Sequence, residues 1–163
     1  MIDEKHSPAL AATERALRGA AQLFHVDGDP IAQGSKRVFR GRTVDASNWG
    51  TKTRKAGALT RWRKAIASEF RKTGIRRMSK PEPVTVAIWF FFPRPKTVKR
   101  EQPTVKPDAD KLARAVLDAL TGLAYDDDSQ VVQLEIYKRY DLDGCAGCTI
   151  EVDRYEETGD MPF

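Results

Sequence analysis

Apolar positions along this chain fall into runs of two periods, one helical and one extended. Leu59, Trp62, Ile66 and Phe70 lie at i, i+3, i+7 and i+11, one stripe of a helix whose other side carries Arg61, Arg63, Lys64, Arg71 and Lys72. Leu112, Ala115, Val116, Ala119 and Leu120 repeat at i, i+3, i+4, i+7 and i+8, a second buried helical stripe, with Gly122 placed to stop it. Between the two, Val84 to Phe92 alternates as a strand with Val84, Val86, Ile88, Phe90 and Phe92 on one side. Thr85, Ala87, Trp89 and Phe91 lie on the other, and apolar residues on both faces predict a central strand packed in the core. Val132, Leu134 and Ile136 alternate with Gln133, Glu135 and Tyr137 as a half-exposed strand, and Cys148 to Arg154 alternates similarly.

The remaining segments are less periodic. Leu23 to Val26 reads as a strand, closed by the turn residues Gly28-Asp29-Pro30. From Ile31 to Gly57 the chain is polar, basic and rich in Gly, Ser and Thr, which predicts a mobile loop that orders on a ligand, with a strand at Arg37 to Arg40. Residues 1–20 are polar and alanine-rich and read as an extension. The expected architecture is a single α+β domain, a mixed sheet with about two helices packed on one face, consistent with a length of 163 residues.

Charge changes that picture. The segment from Gly34 to Lys80 holds fifteen Lys and Arg but only the acids Asp45 and Glu69, a local excess of +13 in a chain of net charge +5. A solvated helix face usually mixes signs, so this bias favours a phosphate-tracking surface. The longest apolar run ends at Pro93, short of the roughly 20 residues that span a bilayer, and residues 1–20 lack the apolar stretch of a secretory leader. A cytoplasmic location is expected. Cys145 and Cys148 are the only cysteines, and His6 and His25 the only histidines. A structural zinc site, which takes about four such ligands, would need another chain, so two incidental cysteines in a reducing compartment are the simpler reading.

Carboxylates flank the second helix. Asp108 and Asp110 precede it, Asp126, Asp127 and Asp128 follow it, and gathering them is unfavourable unless a cation compensates. On an extended chain Asp108 and Asp110 point the same way and can converge on Mg2+, a hard cation with oxygen ligands. Asp110 also reads as a plain N-cap, and the Asp126 to Asp128 run as a solvated loop. Residues 111–121 as helix span about 16 Å, so Asp128 reaches the first pair only if Gly122 to Asp127 runs back extended, at most about 20 Å. Otherwise a second subunit must supply it. With a metal held there the chemistry is phosphodiester hydrolysis. Arg114, one turn into the helix, either stabilises transition-state charge or pairs with Asp110 or Asp118.

The stretch PDADKLARAVLDALTGLAYDDDSQVVQLEIYK resembles the motif of the RusA family of Holliday junction resolvases, approximately PDxDNLxKxxLDAL followed by an acidic pair before Gln-Val. The upstream QGSKR is similar to a basic segment in many members. The resemblance implies Asp108, Asp110 and Asp128 as catalytic, metal-binding carboxylates with Asp127 beside them, and Arg114 in the usual lysine position. Lys111 stands where Asn is common, and Arg114 brings a planar fork where the family has an ammonium. It further implies a homodimer acting on four-way junction DNA with Mg2+, for which Mn2+ substitutes, in recombination and repair, in a bacterial or phage setting. The resolvase domain would cover residues 21–157, with residues 158–163 as a tail. Lys36, Arg37, Arg61, Lys64 and Lys111 are the expected DNA contacts. The alternatives are a nuclease for other branched DNA and a nucleic-acid-binding protein without turnover.

Overall fold

A computed structural model describes residues 22–34, 57–141 and 145–156, together with the backbone of 36–39 and 42–45. In chain order the elements are β1 (Gln22–Asp27), β2 (Lys36–Phe39), β3 (Arg42–Asp45), α1 (Ala58–Lys72), β4 (Val84–Pro93), α2 (Ala109–Leu120), a short 3-10 turn (Asp128–Gln130), β5 (Val131–Asp141) and β6 (Gly147–Arg154). The main sheet has the order β1-β6-β4-β5. β6 runs antiparallel to both β1 and β4, whereas β5 runs parallel to β4. Parallel neighbours need a crossover, and α2 supplies it.

Both helices lie on one face, as the periodicity predicts. The stripe Leu59, Trp62, Ile66 and Phe70 is buried on α1, and Leu112, Ala115, Val116, Ala119 and Leu120 are buried on α2. They meet Phe24 and Val26 of β1, Ile150 and Val152 of β6, and Val84, Val86, Ile88 and Phe90 of β4 in one core. β4 has partners on both edges, and on its second face Ala87 and Trp89 are buried, with Trp89 stacked on Tyr137 of the neighbouring strand at a ring-centroid distance of 5.5 Å. Gly122 adopts a φ of 78° just past the last residue of α2, a left-handed position that glycine fills without a Cβ clash.

The expected strand at Arg37 to Arg40 is one arm of a separate two-stranded antiparallel ladder, Lys36–Phe39 with Arg42–Asp45. The second arm carries no apolar alternation of its own and was not legible. Residues 1–20 and 158–163, expected to be an extension and a tail, and most of the polar stretch after Asp45 lie outside the described residues.

Candidate metal and nucleic-acid site

α2 begins earlier than the apolar stripe suggests, and this reassigns its first acids. Asp108, extended at φ −72° and ψ 141°, is the N-cap residue; Asp110, expected as the cap, is the second residue of the helix. The extended-chain argument for their convergence therefore does not apply. They are instead tied through Lys111, whose Nζ lies 2.6 Å from Asp108 Oδ2. Its hydrogen bond holds the Asp108 carboxyl below the usual carboxylate range, and Asp108 first, then Asp110, raises the Lys111 ammonium. Negative charge at this pole of α2 is also favoured by the unsatisfied N–H groups of the first turn.

A second lysine builds the approach to this pole. Lys138 of β5 donates from Nζ to the carbonyls of Val105 and Pro107, at 2.6 and 2.7 Å, and burial lowers its pKa. It thereby fixes the segment that presents Asp108. Its role was missed in the sequence, although a signal existed: Lys138 continues the apolar alternation of Val132, Leu134 and Ile136 where a further apolar residue is expected. Gln33, buried, anchors the other side. Its backbone N–H donates to the Lys111 carbonyl at 2.9 Å, and its side chain accepts from Arg63.

At the opposite pole the three consecutive acids have different fates. Asp126 accepts from the Lys80 backbone N–H at 3.1 Å and pairs with Arg77 at 2.5 Å. Asp127 caps the 3-10 turn in a reciprocal capping box with Gln130 and lies 3.3 Å from Lys80 Nζ. Hydrogen bonds from Ser129, side chain and backbone, and then Lys80 hold the Asp127 carboxyl down to about 2. Asp128 is exposed, and its carboxylate has no hydrogen-bond or ion-pair partner among the described residues. Two of the three acids are thus structural, and Asp128 is the one left available.

The extended return that would carry Asp128 back to Asp108 does not occur. After α2 the chain closes tightly: Gly122 N–H donates to the Tyr125 carbonyl at 2.7 Å, and the N–H groups of Leu123 and Ala124 both donate to Leu120 at 2.9 Å. Buried Tyr125 then donates its hydroxyl to the Leu117 carbonyl at 3.1 Å, so Asp128 begins the run into β5 beside the C-terminal end of α2. Lys138, far along β5, reaches the N-terminal end. The 12 residues of α2 separate the two acidic groups by about 18 Å at 1.5 Å per residue. Among the described residues no three His, Cys, Asp or Glu side chains of one chain are grouped to hold a metal ion. Asp108 and Asp110 suit Mg2+, which is commonly held by one or two carboxylates together with water and phosphate oxygens.

Arg114 is exposed, and among the described residues it forms no ion pair. The pairing with Asp118 expected as one alternative is pre-empted, because Asp118 binds Arg63 at 2.5 Å. The basic segment is also less uniform than its composition: besides Arg63, Lys72 pairs with Glu69, Arg76 with Glu82, Arg77 with Asp126 and Lys80 with Asp127. Lys64 and Arg71 line an open groove between α1 and the end of α2, and Arg61 is on the exposed side of α1. Lys36 and Arg37 lie on β2, their side chains outside the described residues. Cys148 is buried and Cys145 exposed, both as free thiols; burial pushes the Cys148 thiol up to about 12. Cys148 is therefore a core residue.

Residues 27–153 match the family model of the endodeoxyribonuclease RusA. The chain belongs to this family of nucleases, whose model spans both helices, β4, β5, nearly all of β6 and both acidic groups. It is also 34% identical over 130 residues to the uncharacterized protein YqaN of Bacillus subtilis (strain 168), covering 72% of this chain and 86% of that protein. No helix among the described residues is long and apolar enough to cross a membrane.

Proposed function

We propose that this protein is a Mg2+-dependent endonuclease that resolves four-way DNA junctions as a homodimer, with each active site built from both subunits. The carrying observation is the placement of the carboxylates that no backbone group satisfies, Asp108 (paired with Lys111) and Asp110 at one pole of α2 and Asp128 at the other. A two-fold partner can bring its Asp128 to the pole that lacks it. β5 is an edge strand of the main sheet, and Val132 and Leu134 on it are 59% and 41% exposed. Antiparallel pairing of two β5 strands about Leu134 sets Val131 of one copy near Lys138 of the other, and hence the partner's acidic turn beside Asp108. Two-fold symmetry then presents two sites to opposing strands of a junction.

A bound metal ion would supply polarisation of a phosphoryl oxygen and a lowered pKa for an attacking water. Asp108 and Asp110 would hold it, with Asp128 of the partner subunit as a third carboxylate. Arg114 on the same helix stabilises charge developing on the phosphate. Lys64 and Arg71, with Arg61, bind the phosphate backbone, and Asp127 supports Asp128 as a cap. The domain is taken as residues 21–157, and the cell compartment as the bacterial cytoplasm, where a host- or phage-encoded resolvase meets its DNA.

The test mixes two inactive variants. Asp110→Asn and Asp128→Asn homodimers are each incubated with a synthetic four-way junction, a duplex and a flap, in Mg2+ or EDTA, alone and after subunit exchange. In a shared site the heterodimer places both substitutions in one site and leaves the other intact, so metal-dependent nicking of the junction returns. No return after verified exchange removes the two-subunit site, and equal cutting of duplex or flap removes junction selectivity.

A further inference from the structure

We propose that Lys111 is a built-in cation that occupies Asp108 in the metal-free protein and must swing away before a divalent ion binds, so that this one side chain sets metal affinity. The inference rests on the assignment of Asp108 and Asp110 as metal ligands. Its basis is the direct contact of Lys111 Nζ with Asp108 Oδ2 at 2.6 Å, made across one helical turn from the third helical position to the cap. An ammonium and a divalent cation cannot share one carboxylate oxygen at close range, because their repulsion opposes the attraction that each gains.

The surroundings leave Lys111 as the competitor. Lys138, from β5, is committed to the carbonyls of Val105 and Pro107, so it makes no contact with the carboxylate and reaches it only as a charge. Lys106 acts on Asp108 only through longer-range charge. Asp110, on the helix itself, attracts the same ammonium. The Lys111 side chain is 39% exposed, which gives it room to leave toward solvent, and its backbone stays held by the helix and by Gln33. Displacement therefore need not disturb the fold.

The competition predicts a direction that a purely structural lysine would not give. Mn2+ binding to the full-length protein, without DNA, is measured by titration calorimetry for the wild type and for Lys111→Asn, Lys111→Met and Lys111→Arg, with folding checked by circular dichroism. Removing the charge in Asn or Met should tighten Mn2+ binding by about tenfold, whereas Arg, which keeps it, should stay within about twofold of wild type. Affinity in Asn and Met that is unchanged or weaker overturns the proposal, as does equal tightening in Arg. Asp108→Asn separates this failure from that of the site itself: if it binds Mn2+ as the wild type does, the assignment of Asp108 as a ligand is wrong.

Discussion

The two ends of α2 carry the same residue type in similar numbers and use it in opposite ways. At the C-terminal end, Asp126 and Asp127 are consumed by structure: each accepts backbone N–H groups, each faces a cation, and Gln130 binds the N–H groups of both at 2.9 and 3.0 Å. At the N-terminal end Asp108 occupies a cap position without making a side-chain cap hydrogen bond, and Asp110 points to solvent. A cap that does not cap keeps its carboxylate for something else. What distinguishes a structural from a functional aspartate here is therefore whether the local backbone has already satisfied it.

The largest expected effect breaks the N-terminal end. Asp110→Asn should keep the fold, since the residue is exposed and makes no cap, while junction cleavage in Mg2+ falls by orders of magnitude. Cleavage, thermal stability and junction binding in Ca2+ on one preparation check it; normal cleavage would remove Asp110 from the catalytic set. The largest stability effect should come from the other end. Gln130 is 6% exposed, accepts from two backbone N–H groups and donates to the carbonyls of Met78 and Glu82 at 3.3 and 3.0 Å. Gln130→Leu leaves these groups unpartnered at costs of about 1–3 kcal/mol each where they stay buried. With some reaching water, a total of roughly 3 kcal/mol is expected in denaturant melts. A loss under about 1 kcal/mol would show that the turn is not held by Gln130.

How much of this was legible in the sequence follows from which forces act locally. The two helices and the central strand were readable because burial imposes a period on the residues that pack, and Leu59, Trp62, Ile66 and Phe70 show it without interruption. The helix start was misplaced because Ala109 and Asp110 carry no apolar signal, so the stripe alone begins at Leu112. Asp108 and Asp110 could be picked out by their spacing, but the fate of Asp126 to Asp128 could not. It depends on Lys80, Arg77 and Gln130, and the first two are about 50 positions away along the chain. Lys138 was missed for the same reason, as its partners are carbonyls more than 30 residues upstream. The charge count was misleading in one respect: composition cannot tell Lys64, which faces an open groove, from Arg63, which is bound to Asp118.

That last contrast gives a prediction of intermediate size. If Lys64 and Arg61 contact phosphates, junction affinity should fall with salt, with a log-log slope near −0.9 per contact as measured for duplex DNA, and charge reversal at both should flatten it by about two contacts. Reversal of Lys72, paired with Glu69, should change the slope less. Equal effects at all three would mean that the whole basic segment acts as a diffuse charge rather than as a defined surface.

The smallest effect concerns Asp127 and fixes its structural role by pH. Its carboxyl is held at about 2, below the ordinary value of 3.8, chiefly by hydrogen bonds from Ser129 and then by Lys80. A depressed folded-state pKa contributes stability above the unfolded pKa, and that contribution is lost as pH falls through the folded one. Wild type should therefore lose this stabilisation between about pH 4 and pH 2. Asp127→Asn keeps a capping oxygen, as Asn caps about as well as Asp, but has no proton to take up in that window. Its melting temperature should lie slightly below wild type at pH 7, where the Lys80 pair is missing, and the two should converge toward pH 2. Parallel acid profiles across the window would show that Asp127 does not titrate as the cap requires, and would return it to the set of carboxylates available for a metal.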